Sequence, residues 1–207
     1  MDELRSEIRA AFSVDVRSIQ AVSGGDIAKA FRIGTPEGPL FAKIMSGSQG
    51  AAVLASEARN LKAIRDNGAL RTPEIYGLEK LSEGSCLLMA YVAPGEQTRP
   101  AMEALGRGLA YMHKTTQAHF GWEADNFIGP LPQQNRFSDN WAAFYTEQRL
   151  LPLFGMAAEK GLLNGSRIPS EARVEQRIRD GIPEVSPCLL HGDLWGGNYL
   201  VSEDETP

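Results

Sequence analysis

At 207 residues, with 43% hydrophobic and 23% charged side chains, the chain is long enough to bury a core as one large domain or two small lobes, which excludes a disordered or fibrous protein. Its formal net charge of −5 argues against a nucleic-acid partner, because phosphate backbones select basic surfaces. No apolar run approaches the roughly 20 residues of a membrane span, and the acidic opening "MDELRSEIRAAF" lacks the apolar stretch of a secretion signal. No membrane partner and a cytoplasmic location are therefore expected.

Leu4, Ile8 and Phe12 recur every four residues and predict a short amphipathic opening helix. From Ser18 to Met45 the pattern changes to consecutive short antiparallel strands, broken at "GTPEGP". Residues 50–67 return to helical spacing, with Leu54, Leu61 and Ile64 on one face and Gly68 placed to end the helix. "YGLEKL" and "CLLMAYV" read as two further strands joined by "SEGS", and "APGEQTRP" as a linker. Beyond it the chain reads as helical. Met102, Leu105, Leu109 and Met112 line one stripe; Trp141, Phe144, Tyr145 and Leu151 form another behind Ser138 as N-cap; "PSEARVEQRIRDGI" is a third, with Pro169 in its first turn. Cys86 and Cys188 lie in apolar runs and predict buried free thiols, not a disulfide or metal ligands. The expected fold class is α+β, with a strand-rich lobe over residues 1–91 and a helical lobe over 92–207.

Three separated features carry chemistry. Gly24 and Gly25, with Asp26, fall between two strand patterns in "SGGDIAKAF". Glycines there let the backbone approach a ligand and present N–H groups to phosphate, although a plain hairpin turn uses the same residues. Glu57 sits on the apolar face of the 50–67 helix, three residues after Leu54 and four before Leu61. An inward carboxylate needs a partner, and Lys43, inside the preceding apolar strand, supplies one. A lysine held by such a glutamate grips nucleotide phosphates in kinases; two side chains snorkelling to water is the alternative. In "CLLHGDLWGGNYLVS", His191, Asp193 and Asn198 reproduce the H-x-D-x-x-x-x-N spacing of a phosphotransferase catalytic loop. Phosphoryl transfer requires a carboxylate aimed at the attacking hydroxyl and a neutral oxygen ligand for the phosphate-bound metal a short loop away. Gly196 and Gly197 let the loop turn, and "CLL" and "NYLV" read as a hairpin supporting it.

The "HGDLWGGN" loop resembles that of the fructosamine kinases, or ketosamine 3-kinases, within the aminoglycoside phosphotransferase and choline kinase group. "SGGDI", "EARNLKAI", "LAYMHKTT" and "FGWEADNFIGPLPQQNRFSDNWAAFYTEQRL" agree, so the likeness runs from about Ser18 to Val201. The resemblance implies a protein-kinase-like two-lobe fold, ATP and Mg²⁺ as cofactors, and γ-phosphate transfer to the sugar 3-hydroxyl of a ketoamine, on small molecules or glycated proteins. That phosphate destabilises the ketoamine and frees the amine, a deglycation repair. It also implies roles: Asp193 as catalytic base, Asn198 as metal ligand, Lys43 as the phosphate-binding lysine with Glu57 as its orienter, and Gly24, Gly25 and Asp26 as the loop over the phosphates. "LLMAYVAPG" becomes the hinge, with Met89 behind the adenine and the backbone of Ala90, Tyr91 and Val92 bonding it. Trp195 packs on the acceptor sugar or braces the loop, and His191 holds the loop through hydrogen bonds. An aminoglycoside or choline kinase, the nearest rival, would lack "FGWEADNFIGPLPQQ".

In this superfamily a second metal-binding aspartate lies on the strand after the catalytic asparagine. Only residues 199–207 follow Asn198, and the acids in "SEDETP" read as the turn before that strand. The expectation is a chain that stops mid-lobe, has little or no kinase activity alone, and either forms a homodimer or belongs to a longer protein; a catalytically incomplete kinase-like binding module is the alternative.

Overall fold

A computed structural model describes residues 1–22 and 28–207. Gly24, Gly25 and Asp26 lie outside the described residues. The chain forms two compact units, one from Met1–Met112 with His191–Pro207, the other from His113–Leu190.

The first unit is built on five antiparallel strands in the order β1-β2-β3-β5-β4: β1 Ser18–Val22, β2 Lys29–Thr35, β3 Gly38–Met45, β4 Ile75–Leu81 and β5 Gly84–Ala90. Alternation along the strands sends Phe31, Ile33, Leu40, Ala42, Ile44, Cys86 and Leu88 to one face, where they pack with Ile8 of helix α1 (Asp2–Phe12) and with Val16. Leu87 and Met89 turn to the other face and meet Leu54 of helix α2 (Gly50–Asn67), with Phe41, Met45, Ala58, Ile75 and Leu78 around them. Strand β5 is thus covered on both sides, which is why "CLLM" shows no polar alternation. Burial of Cys86 pushes its thiol up to about 12, which keeps it an inert, protonated core atom.

Helix α2 stops where Gly68 takes a left-handed conformation, φ 78°, and donates its N–H to Arg65 O at 3.0 Å. Helix α3 (Arg99–Met112) buries Ala101, Leu105 and Met112 and belongs to the first unit. So does the tail from His191. This grouping differs from a division at residue 91, because the tail hydrogen-bonds to the segment that follows β5, as described below.

The second unit carries a short hairpin, β6 (Asn126–Ile128) with β7 (Leu131–Gln133). It also has helix α4 (Trp141–Tyr145), which runs through a π-helical turn, Thr146–Leu150, into α5 (Leu151–Glu159), and helix α6 (Glu171–Gly181). Phe120, Trp141, Phe144 and Tyr145 form its aromatic cluster, with ring centroids 5.0–6.4 Å apart. Asn135 ties the loops together: its N–H donates to Asp125 at 2.8 Å, its Nδ2 to Asn126 Oδ1 at 2.9 Å, and its Oδ1 accepts from Arg149 at 2.5 Å. Two helix starts differ from the sequence reading. The N-cap of α4 is Asn140, whose Oδ1 accepts Ala143 N–H at 2.9 Å, while the Ser138 hydroxyl instead bonds the Asn140 backbone. Helix α6 starts after Ser170, which leaves Pro169 outside its first turn.

Candidate active site

Strand alternation decides where Lys43 points. It pairs across the sheet with Ala30 and Leu87 and shares the α2 face with Phe41, Met45, Leu87 and Met89. On α2, Glu57 falls beside Leu54 and Ala58, so the helix delivers its carboxylate over the same face. The two side chains meet: Lys43 Nζ lies 2.7 Å from Glu57 Oε2 and 2.9 Å from Oε1, each side chain 29% exposed. A two-oxygen grip leaves the ammonium one further N–H for a ligand.

Met89 is 4% exposed and sits on this face at the end of β5. Ala90 N–H donates to Glu74 O at 2.8 Å and Tyr91 N–H to Pro39 O at 3.3 Å, so both are spent within the sheet. Among the described residues, Val92 N–H has no backbone acceptor. The Arg32 guanidinium lies 5.1 Å from the Tyr91 ring centroid, a contact sequence reading did not anticipate.

The loop from His191 is organised by its asparagine. Asn198 Nδ2 donates to Asp193 O at 2.8 Å and to Asp193 Oδ2 at 2.9 Å; Asn198 N–H bonds Trp195 O at 2.9 Å. His191 Nδ1 accepts Asp193 N–H at 3.4 Å. Trp195 is 61% exposed and its ring lies over Gly197, where an added Cβ would come within 2.5 Å of ring carbons. Asp193 and Asn198, both exposed, are brought together, and their carboxylate and amide oxygens are donors of the kind a hard cation takes.

The loop is not carried on a hairpin of its own flanks. Cys188 bridges Thr116, with Leu189 N–H on Thr115 O at 3.2 Å, whereas Ser202 bridges Pro94. "CLL" and "NYLV" therefore pair with different segments and not with each other. Around the second bridge, Gly95 N–H donates to Val201 O at 2.7 Å and Glu203 N–H to Ala93 O at 3.2 Å. Beyond it Ser202 N–H reaches Thr206 O at 2.9 Å, closing a turn capped by Asp204. Asp204 accepts from the Ser202 hydroxyl, from Thr206 N–H at 3.2 Å and from Arg71 Nη1 at 3.1 Å. These bonds, the Ser202 hydroxyl first, hold its carboxyl well below the usual carboxylate range. "SEDETP" is thus the turn that the sequence suggests, but Gly95, Arg71 and Asp204 were missed as partners of the loop. The only signal was the glycine in "APG".

The sequence model of the fructosamine kinase family matches residues 2–207. A protein of Lactiplantibacillus plantarum, designated a probable ketoamine kinase, is 33% identical over 93% of this chain and 68% of its own length. The chloroplastic protein-ribulosamine 3-kinase of Arabidopsis thaliana is 33% identical over 94% of this chain and 60% of its own. A Thermobifida fusca protein, whose crystal structure carries the provisional designation fructosamine-3-kinase, superposes with a TM-score of 0.78 at 27% identity, covering 97% of this chain and 69% of that one. The chain therefore spans about two thirds or less of the length of these proteins.

Proposed function

From the premise that the chain belongs to the fructosamine kinase family, with its kinase-like α+β fold, we propose that it supplies the catalytic residues of an ATP-dependent ketoamine 3-kinase. The observation that carries this reading is the Asp193–Asn198 pair at 2.9 Å in a loop of phosphotransferase spacing, together with the Lys43–Glu57 pair at 2.7 Å. Lys43, fixed by Glu57, grips the nucleotide phosphates. Met89 backs the adenine, and Val92 N–H bonds its edge, since the N–H groups of Ala90 and Tyr91 are already used. Gly24, Gly25 and Asp26 complete the nucleotide-binding set.

Asp193 accepts the proton of the sugar 3-hydroxyl as that oxygen attacks the γ-phosphorus, with ADP leaving in line. Asn198 spends its Nδ2 on Asp193, which aims Oδ1 away from the carboxylate as a neutral ligand for Mg²⁺. The ion supplies charge neutralisation on the phosphates. Trp195, exposed and braced on Gly197, offers an indole face to the acceptor sugar. The acceptor is a ketoamine of the fructosamine or ribulosamine type, free or on a glycated protein, and the product is the 3-phosphate that sheds its amine.

The test is phosphate transfer from ATP to a fructosyl-lysine derivative, with choline and an aminoglycoside as competing acceptors, on this chain and on one extended at its C-terminus. Transfer to the ketoamine alone supports the reading. Transfer to the other acceptors, or nucleotide binding with no transfer by either form, would overturn it.

A further inference from the structure

The bonds between Ala93–Gly95 and Val201–Glu203 join the segment that directly follows the residues assigned to the adenine, 89–92, to the loop that carries Asn198. Their geometry is that of a wide antiparallel pair. Gly95 N–H and Glu203 N–H cross to Val201 O and Ala93 O, while position 94, whose N–H would point away, is a proline. The approach is too close for a side chain: a Cβ on Gly95 would stand 2.4 Å from Ser202 O, 2.7 Å from its carbonyl carbon and 2.9 Å from Glu203 Cα, all of them backbone. Val201, three residues after Asn198, is 1% exposed and so fixes the tail on the inside. Outside, Asp204 gathers Ser202, Thr206 and Arg71 onto one carboxylate. Tyr199 OH also reaches Gln97 Oε1 at 3.5 Å.

We propose that Gly95 and the Arg71–Asp204 pair are positioning residues that couple the base-binding hinge to the metal-ligating asparagine, so that nucleotide and Mg²⁺ bind synergistically. The inference rests on the nucleotide-site reading above. A base seated on the hinge steadies residues 93–95, and these steady Val201–Glu203 and, through them, Asn198. A metal on Asn198 steadies the same bonds from the other end. Synergy of this kind is reciprocal, and such couplings are commonly about 5- to 150-fold.

The experiment measures ATP affinity calorimetrically with and without Mg²⁺, and adenosine affinity as a control that contains no metal-binding phosphates, for the wild type, Gly95→Ala, Arg71→Ala, Arg71→Lys and Asp204→Ala. Gly95→Ala should lower the Mg²⁺ enhancement of ATP binding about tenfold while leaving adenosine affinity within twofold. Arg71→Ala and Asp204→Ala should shift the enhancement the same way by a smaller factor, and Arg71→Lys should restore it. Arg71 and Asp204 are each more than 60% exposed in side chain, so the variants at these two sites report even where Gly95→Ala fails to fold. A wild type with no Mg²⁺ enhancement would overturn the nucleotide-site reading and the coupling with it. A wild type with enhancement, matched by every variant, would overturn the coupling alone. Adenosine affinity falling in step with ATP would also overturn it, since that marks a loss of structure with no change in synergy.

Discussion

Two side-chain pairs carry the proposed chemistry, and they differ in how much water reaches them. Lys43 and Glu57 are each 29% exposed in side chain, so breaking the pair should cost at or below the low end of the roughly 3–5 kcal/mol seen for fully buried pairs. A double-mutant cycle on Lys43→Met and Glu57→Gln, read as ATP affinity, should return a coupling energy of about 1–3 kcal/mol. Independent effects would mean that the lysine holds phosphate without its glutamate. Asp193 makes a different demand, because the role proposed for it is to accept a proton. Asp193→Asn keeps the shape of the loop and should leave ATP affinity nearly unchanged while lowering turnover about 10²-fold or more; steady-state kinetics on an active form of the protein separates the two. Both pairs were legible in the sequence, since each joins a residue type to a periodicity or a fixed spacing. Gly95 and Asp204 were not, because a glycine in a linker and an acid in a turn look the same whether or not another backbone lies against them.

Among the elements, α2 and the tail show how local rules set the site. Strand and helix periods put Lys43 and Glu57 on facing surfaces, and the apolar contacts of Leu54 with Leu87 and Met89 hold those surfaces together. Leu54→Ala, at a fully buried position, should destabilise the protein by about 2–5 kcal/mol in chemical denaturation and weaken ATP binding through Glu57. Gly68→Ala meets no neighbour but forces a left-handed φ on alanine, and about 1 kcal/mol is expected from that alone. In the tail, the Asp204 carboxyl is depressed by its hydrogen bonds and by Arg71, so the folded state favours the charged form. Its contribution is complete above the ordinary carboxylate pKa of about 3.9 and is lost as pH falls through the lower folded value. Amide-exchange protection at Gly95 and Glu203, taken relative to the intrinsic rate at each pH, should therefore fall on acidification in the wild type, whereas Asp204→Asn should show the lowered protection at every pH. The hairpin expected from "CLL" and "NYLV" failed for a related reason. Alternating residues specify a strand, but which backbone it joins is settled by tertiary packing.

On the scale of the whole molecule, the proposed site has nucleotide binding act on the first unit through β3, α2, the hinge and the tail. With Mg²⁺ and ATP at 100 times the dissociation constant, stabilisation of about 2.7 kcal/mol is expected. Exchange protection should rise in those four segments, and a rise confined to α1 would contradict the assignment. The α+β class was readable from the chain. The grouping of residues 191–207 with the first 112 was not, because it depends on contacts between segments far apart in sequence. That discontinuity sets an order of assembly during synthesis. Residues 113–190 leave the ribosome as one uninterrupted stretch and can complete their own contacts, whereas the first unit must wait for its final segment. Waiting with the intervening stretch unfolded would leave a loop whose closure costs about 4 kcal/mol by logarithmic scaling; folding it first shortens the effective tether. The sheet, Lys43 and Glu57 are thus made early, and the bonds that seat Asn198 against the hinge form only after residues 113–190 have emerged.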